Sequence, residues 1–107
     1  MRKYAIITGG SRGIGRAICE KLAQDTDYHL LIPYQSNEIA ALETLTHIKK
    51  LGSDGDIIRF DVSDHQSTTE ALTKWQHDNK DAVVEVIVNN AGINRDGLFM
   101  WMPQEDW

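Results

Sequence analysis

Four glycines fall within seven residues in Ile6-Ile7-Thr8-Gly9-Gly10-Ser11-Arg12-Gly13-Ile14-Gly15, directly after an apolar run and directly before a helical pattern. A buried strand has to end there, the chain has to turn within a few residues, and a helix has to begin. Free N–H groups at that helix start face a space suited to an anion. Gly9 lets the chain leave the strand with a torsion that side chains disfavour. Gly13 lets the main chain approach a pyrophosphate, and Gly15 permits close packing at the helix start. The spacing is not G-x-G-x-x-G, since Ile18 takes the third glycine's place, and no Gly-Lys-Ser/Thr follows to make a P-loop. The segment reads as a seat for a dinucleotide. A plain glycine-rich turn is the competing reading.

The rest of the chain supplies an α/β frame for that seat. Tyr4–Thr8 reads as a short buried strand, followed by a helix to about Gln24 whose inner face is Ile14, Ile18 and Leu22 with Cys19 and Ala23 beside them. Tyr28–Tyr34 is a second strand, with Pro33 marking its end because it cannot donate a ladder bond. A helix over Glu38–Leu51 carries Leu42, Leu45 and Ile48 as its stripe and stops at Gly52. Asp56–Phe60 is a third strand. Ser63-Asp64-His65-Gln66 has the form of a capping box for a helix carrying Ala71, Leu72 and Trp75. Ala82–Val88 is a fourth strand, apolar enough for two covered faces. Pro103-Gln104-Glu105-Asp106 reads as the first turn of another helix. Strands alternating with helices predict a Rossmann-type, doubly wound parallel sheet with order 3-2-1-4. One dinucleotide-binding domain spans residues 1–107, with fewer strands than a complete fold of this type.

Composition narrows the partners. The formal net charge is −5 and no Lys/Arg cluster exceeds Lys49-Lys50, which argues against a nucleic-acid or anionic-membrane surface. No run approaches the roughly 20 apolar residues of a membrane span. Met1-Arg2-Lys3-Tyr4 leads straight into a strand, without a secretory signal. A single cysteine, Cys19, excludes an internal disulfide and fits a reducing cytoplasm; it reads as a packing residue. His29, His47, His65 and His77 are scattered, so no metal site is expected.

Three motifs together resemble the short-chain dehydrogenase/reductase family. Thr8-Gly9-Gly10-Ser11-Arg12-Gly13-Ile14-Gly15 is similar to its TGxxxGxG cofactor loop. Asp61-Val62 resembles its acidic-apolar pair beside the adenine, and Asn89-Asn90-Ala91-Gly92 resembles its NNAG motif. The stretches Ser11–Ile18, Gly92–Leu98 and Met100–Trp107 look most like bacterial 3-oxoacyl-[acyl-carrier-protein] reductases of fatty acid synthesis, in wording that other carbonyl reductases share. The resemblance implies cofactor contacts at Gly9, Gly10, Ser11, Arg12, Gly13, Ile14, Gly15, Asp61, Val62, Asn89, Asn90, Ala91 and Gly92. Asp61 also reads as an ordinary cap for the next helix. A fold of this kind binding another nucleotide, such as S-adenosylmethionine, is a further alternative.

Cofactor choice follows from charge. An NAD site places a carboxylate after the second strand, where it accepts from the ribose 2′-hydroxyl. Here Pro33-Tyr34-Gln35-Ser36-Asn37 is uncharged until Glu38, while Arg12 in the loop suits a 2′-phosphate. Gln35 and Ser36 are therefore placed at the ribose and NADP is favoured over NAD. A shift of one residue in strand length would bring Glu38 to the ribose instead.

The family's proton donor is a Tyr in a Ser…Tyr-x-x-x-Lys arrangement. Tyr4, Tyr28 and Tyr34 are followed four residues on by Thr8, Ile32 and Glu38, so no such motif occurs here and no catalytic residue is assigned. The chain reads as the cofactor-binding part of a longer reductase, inactive alone. The alternative is a short nucleotide-binding or assembly module. An apolar fourth strand at the sheet's edge predicts homo-oligomerisation. Trp101 and Trp107 fit either a substrate cleft or a subunit contact.

Overall fold

The computed structural model describes residues 2–9, 13–61 and 63–89. Four strands, β1 (Arg2–Thr8), β2 (His29–Tyr34), β3 (Gly55–Arg59) and β4 (Ala82–Asn89), alternate with three helices. The helices are α1 (Gly13–Asp25), α2 (Glu38–Lys50) and α3 (His65–Asp78). The strands form one parallel sheet in the order β3-β2-β1-β4, as the alternation of elements predicts. The helix expected at Pro103–Asp106, and Trp101 and Trp107, lie outside the described residues.

The two-residue period of a strand divides the core into two layers. Tyr4 and Ile6 of β1 face one way and pack with Leu31, Phe60, Leu72, Trp75 and Val84, so α3 covers that side. Ala5 and Ile7 face the other way and pack with Leu30 and Ile32 of β2 and with Cys19, Ala23, Ala41 and Ile48 of the α1–α2 layer. Trp75 is a core residue, as expected. Its ring meets Tyr4 edge-on at 4.8 Å between centroids, and Nε1–H donates to Asp56 Oδ2 at 3.3 Å. Burial pushes the Cys19 thiol up to about 12, which makes it a packing residue rather than a nucleophile.

Both helices of the second layer depart from the expected stripes. In α1 Cys19 and Ala23 of the expected face are buried together with Gly15, and the face centres on them rather than on Ile14, Ile18 and Leu22. Small side chains let the helix approach the sheet closely, leaving Ile18 and Leu22 at the flanks and Ile14 72% exposed. In α2 the buried residues are Ala40, Ala41, Thr44 and Ile48, while Leu42 is exposed. Arg16 is the physical reason. From α1 its Nε donates to Thr44 Oγ1 at 2.9 Å and its Nη2 to the Ala40 carbonyl at 3.1 Å, with Glu43 at 3.5 Å. The two helices meet along that polar seam, and Leu42 is turned away from it.

Pro33 does not end β2. It sits opposite Ile58, and Tyr34 still pairs with Arg59. The β1–β2 ladder stops earlier, at Ile6 and Leu31, so the missing donor ends pairing toward β1 only. Past that point β1 runs on with β4 alone, up to Thr8 opposite Asn89. Among the described residues no helix is long and apolar enough to cross a membrane, and no group of His, Cys, Asp and Glu could hold a metal.

Candidate cofactor site

All four strands point their carboxyl ends the same way, which gathers the singled-out residues along one edge of the sheet. In open α/β sheets that edge is where ligands bind, at the point where the chain's connections diverge from a central strand. Here that point lies between β1 and β4. Thr8, fully buried, donates from Oγ1 to the Val88 carbonyl at 3.2 Å and locks the ends of the two strands together.

The chain leaves β1 through Gly9 with φ 71° and enters α1 at Gly13 with φ 63°. Both lie in the left-handed region that glycine occupies without the penalty of about 1–2 kcal/mol that other residues incur. A Cβ at Gly13 would meet nothing within 4 Å among the described residues. Among the described residues nothing fills the place of a side chain at Gly13, and no acidic residue stands in α1's first turn to compete for the positive end of the helix. Ile14 is exposed beside it, and Gly15 is buried against the sheet. Gly10, Ser11 and Arg12 lie outside the described residues.

At the end of β2, Gln35 and Ser36 form an exposed bend, and Asn37 caps α2 by accepting from Ala40 N–H at 3.0 Å. Glu38 is not a free carboxylate, because Tyr34 donates its hydroxyl to Glu38 Oε2 at 2.8 Å. That bond holds the Tyr34 hydroxyl above its ordinary pKa. Beside it, Arg59 at the end of β3 donates from Nε to the Gln35 carbonyl at 3.2 Å. Sequence reasoning overlooked Arg59. The strand order 3-2-1-4 was enough to find it, since that order sets the end of β3 beside the end of β2.

Asp61 follows β3 by two residues and organises the next turn. Its Oδ1 accepts from Ser63 N–H at 3.0 Å and from Ser63 Oγ at 2.7 Å. Its own N–H donates to Ser67 Oγ at 3.0 Å, and its carbonyl accepts from Thr68 Oγ1 at 3.2 Å. Ser63 is therefore engaged with Asp61, and the expected capping box does not form. Asp64 is the N-cap instead, accepting from Gln66 and Ser67 N–H at 2.9 and 3.3 Å, while Gln66 turns its side chain to Glu70. Nor is Asp61 the cap for that helix.

The Ser63 hydroxyl and then its N–H hold the Asp61 carboxyl below the usual Asp value. The sign is that of a depressed acid. The bonds are complete above the ordinary Asp range and are lost as pH falls through the lowered value. Ser63→Ala is expected to raise the Asp61 pKa toward that of a free Asp, read from its side-chain carboxyl carbon in an NMR pH titration. An unchanged value would show that the hydroxyl does not hold the charge.

β4 delivers Asn89 to the same edge, opposite Thr8. Val62, Asn90, Ala91 and Gly92 lie outside the described residues. The edge thus brings Gly9, Gly13, Gln35, Ser36, Asp61 and Asn89 to the ends of four adjacent strands.

Comparison with known proteins agrees with this geometry. The family described as short chain dehydrogenase matches residues 3–107. A 3-oxoacyl-[acyl-carrier-protein] reductase from Staphylococcus aureus is 36% identical over 107 residues, which is 100% of this chain and 42% of the relative. An acetoacetyl-CoA reductase from Rhizobium meliloti is 35% identical, over 100% of this chain and 41% of its own length. The chain thus spans about two-fifths of the curated relatives it matches. Among solved structures, a blue fluorescent protein from a metagenomic library, in complex with NADPH, superposes with a TM-score of 0.70 at 33% identity. That match covers 85% of this chain and 36% of the other.

Proposed function

The chain belongs to the short-chain dehydrogenase family, and from that premise we propose that residues 1–107 are the NADP-binding part of a carbonyl reductase. The observation that carries the reading is the pair of left-handed glycines, Gly9 after β1 and Gly13 at the start of α1, with no described residue within 4 Å of a Cβ at Gly13. When bound, the nicotinamide cofactor supplies the hydride that reduces a carbonyl. The chain's own residues bind and orient it. Main-chain N–H groups from Gly9 to Gly15 take the pyrophosphate at the positive end of α1, with Gly10, Ser11 and Arg12 between them. Ile14 offers an apolar edge. Asp61 and Val62 border the adenine, Gln35 and Ser36 the ribose, and Asn89, Asn90, Ala91 and Gly92 the nicotinamide side. The Thr8–Val88 bond ties the carboxyl ends of β1 and β4 together.

The substrate we propose is a 3-oxoacyl thioester, with 3-oxoacyl-[acyl-carrier-protein] of fatty acid synthesis preferred. The two curated relatives, named for a 3-oxoacyl-[acyl-carrier-protein] and for acetoacetyl-CoA, support that class. Residues 1–107 contain no Tyr-x-x-x-Lys, so no proton donor of the family's kind is among them, and they bind cofactor without turnover. The reading extends to a homo-oligomer in the cytoplasm, in keeping with one buried cysteine.

The test is a titration of the purified 107-residue chain with NADPH and NADH, followed by nicotinamide fluorescence, with an acetoacetyl thioester assay alongside. Saturable binding that favours NADPH, without NADPH oxidation, is expected. A folded sample that binds neither nucleotide overturns the cofactor reading, and steady oxidation overturns the claim of inactivity.

A further inference from the structure

The end of β2 has no basic residue to meet a 2′-phosphate, yet the adjacent strand brings one there. Arg59 is the last residue of β3, pairs in register with Tyr34, and reaches across so that Nε donates to the Gln35 carbonyl at 3.2 Å. One N–H of the guanidinium is used in this way, and four remain to donate. The head is thereby fixed against Gln35, which with Ser36 is the pair assigned to the ribose. Its charge reaches the Tyr34 hydroxyl, whose pKa it opposes raising.

Two further observations separate Arg59 from an ordinary surface arginine. Arg2 and Arg16 each stand against a carboxylate, Asp81 and Glu43. Arg59 has no ion-pair partner among the described residues. The acid nearest the bend, Glu38, has one oxygen occupied by the Tyr34 hydroxyl at 2.8 Å. An exposed guanidinium, oriented by a backbone carbonyl and left without a counter-ion, is suited to a phosphate dianion.

We propose that Arg59 is a specificity-determining residue, pairing with the 2′-phosphate of NADP from the β3 side while Tyr34 holds Glu38 away from it. The assignment rests on the dinucleotide reading above but not on the identity of the carbonyl substrate. It gives the site a cation from a second strand besides Arg12 of the glycine loop. Tyr34 acts through Glu38 and is a positioning residue.

The test compares 2′,5′-ADP with 5′-AMP, which differ only in the 2′-phosphate, and NADPH with NADH, by calorimetry on the wild-type protein and two variants. Arg59→Gln is expected to weaken NADPH and 2′,5′-ADP by about tenfold to a hundredfold, leaving NADH and 5′-AMP within about twofold. Tyr34→Phe releases Glu38 and is expected to lower the NADPH/NADH preference by about threefold to tenfold. Arg59→Lys is expected to restore part of the loss, since it returns the charge but not the fork. Equal weakening of both members of each pair would make Arg59 a structural prop and overturn the assignment. An unchanged preference in Arg59→Gln would also overturn it, with the dinucleotide reading left intact. Wild-type protein that is folded and binds none of the four compounds overturns the dinucleotide reading itself, and the assignment with it.

Discussion

Gly55→Ala is expected to destabilise the protein by about 3 kcal/mol, although it adds a single methyl group. Gly55 opens β3 and stands opposite Leu30 in the β2–β3 ladder. A Cβ there would overlap the Leu30 carbonyl oxygen and lie 2.9 Å from its carbon and 3.0 Å from its nitrogen. Those atoms are main chain in a central strand, so no side-chain rotation relieves the clash. Torsion plays no part, because the left-handed glycines are Gly9, Gly13 and Gly52. The relief available is to move the start of β3, which breaks the Leu30 N–H bond to the Asp54 carbonyl, now 3.0 Å. β3 is only five residues long and carries both Arg59 and the approach to Asp61. Urea unfolding should show a lower midpoint with an unchanged slope, and the thermal midpoint should fall by more than about 10 °C. Gly52→Ala is the control. Its φ is 92° with nothing within 4 Å, so only the torsional cost of about 1–2 kcal/mol applies. Equal losses in the two variants would mean that β3 yields easily at Gly55.

What was legible in the sequence was whatever depends on short-range pattern. Apolar runs at Ile6-Ile7, Leu30-Leu31-Ile32 and Val83–Val88 are dense enough to mark buried parallel strands, and their alternation with helices implies the order β3-β2-β1-β4. Gly52 stops α2 with a positive φ, as its position just beyond the stripe suggests. Contacts between elements were less legible. On α1 Cys19 and Ala23 were legible as inner residues, but Gly15 takes the place expected of Ile14, because close approach to the sheet outweighs burial of the larger side chain. Leu42 loses its place on α2 to Thr44 because Arg16 comes from another helix to bond it. The capping error has the same origin. Ser63 and Asp64 both suit an N-cap, and the choice is settled by Asp61, which takes the Ser63 hydroxyl. Strand order alone sets the end of β3 beside the end of β2, but that Arg59 turns its guanidinium to the Gln35 carbonyl is a contact between elements that no local pattern announces.

Gly13→Ala separates a ligand seat from a plain turn, because the two readings predict opposite pairings of stability and binding. The added methyl meets nothing within 4 Å among the described residues, so its structural cost is confined to a φ of 63°. That amounts to about 1–2 kcal/mol, and the fold should persist. On the ligand-seat reading the same methyl stands where the pyrophosphate approaches the main chain to reach its N–H groups. Two or three charge-assisted bonds then lengthen together, and NADPH affinity is expected to fall on the order of 100-fold. The loss should be shared by NADH, since both carry the same pyrophosphate, which distinguishes this variant from Arg59→Gln. Calorimetric titration beside urea unfolding reads both quantities on one sample. A stability loss with unchanged affinity would mean that Gly13 serves the turn alone. A loss of affinity far beyond what the unfolded fraction explains would mean that the residue is a glycine because a ligand needs the room.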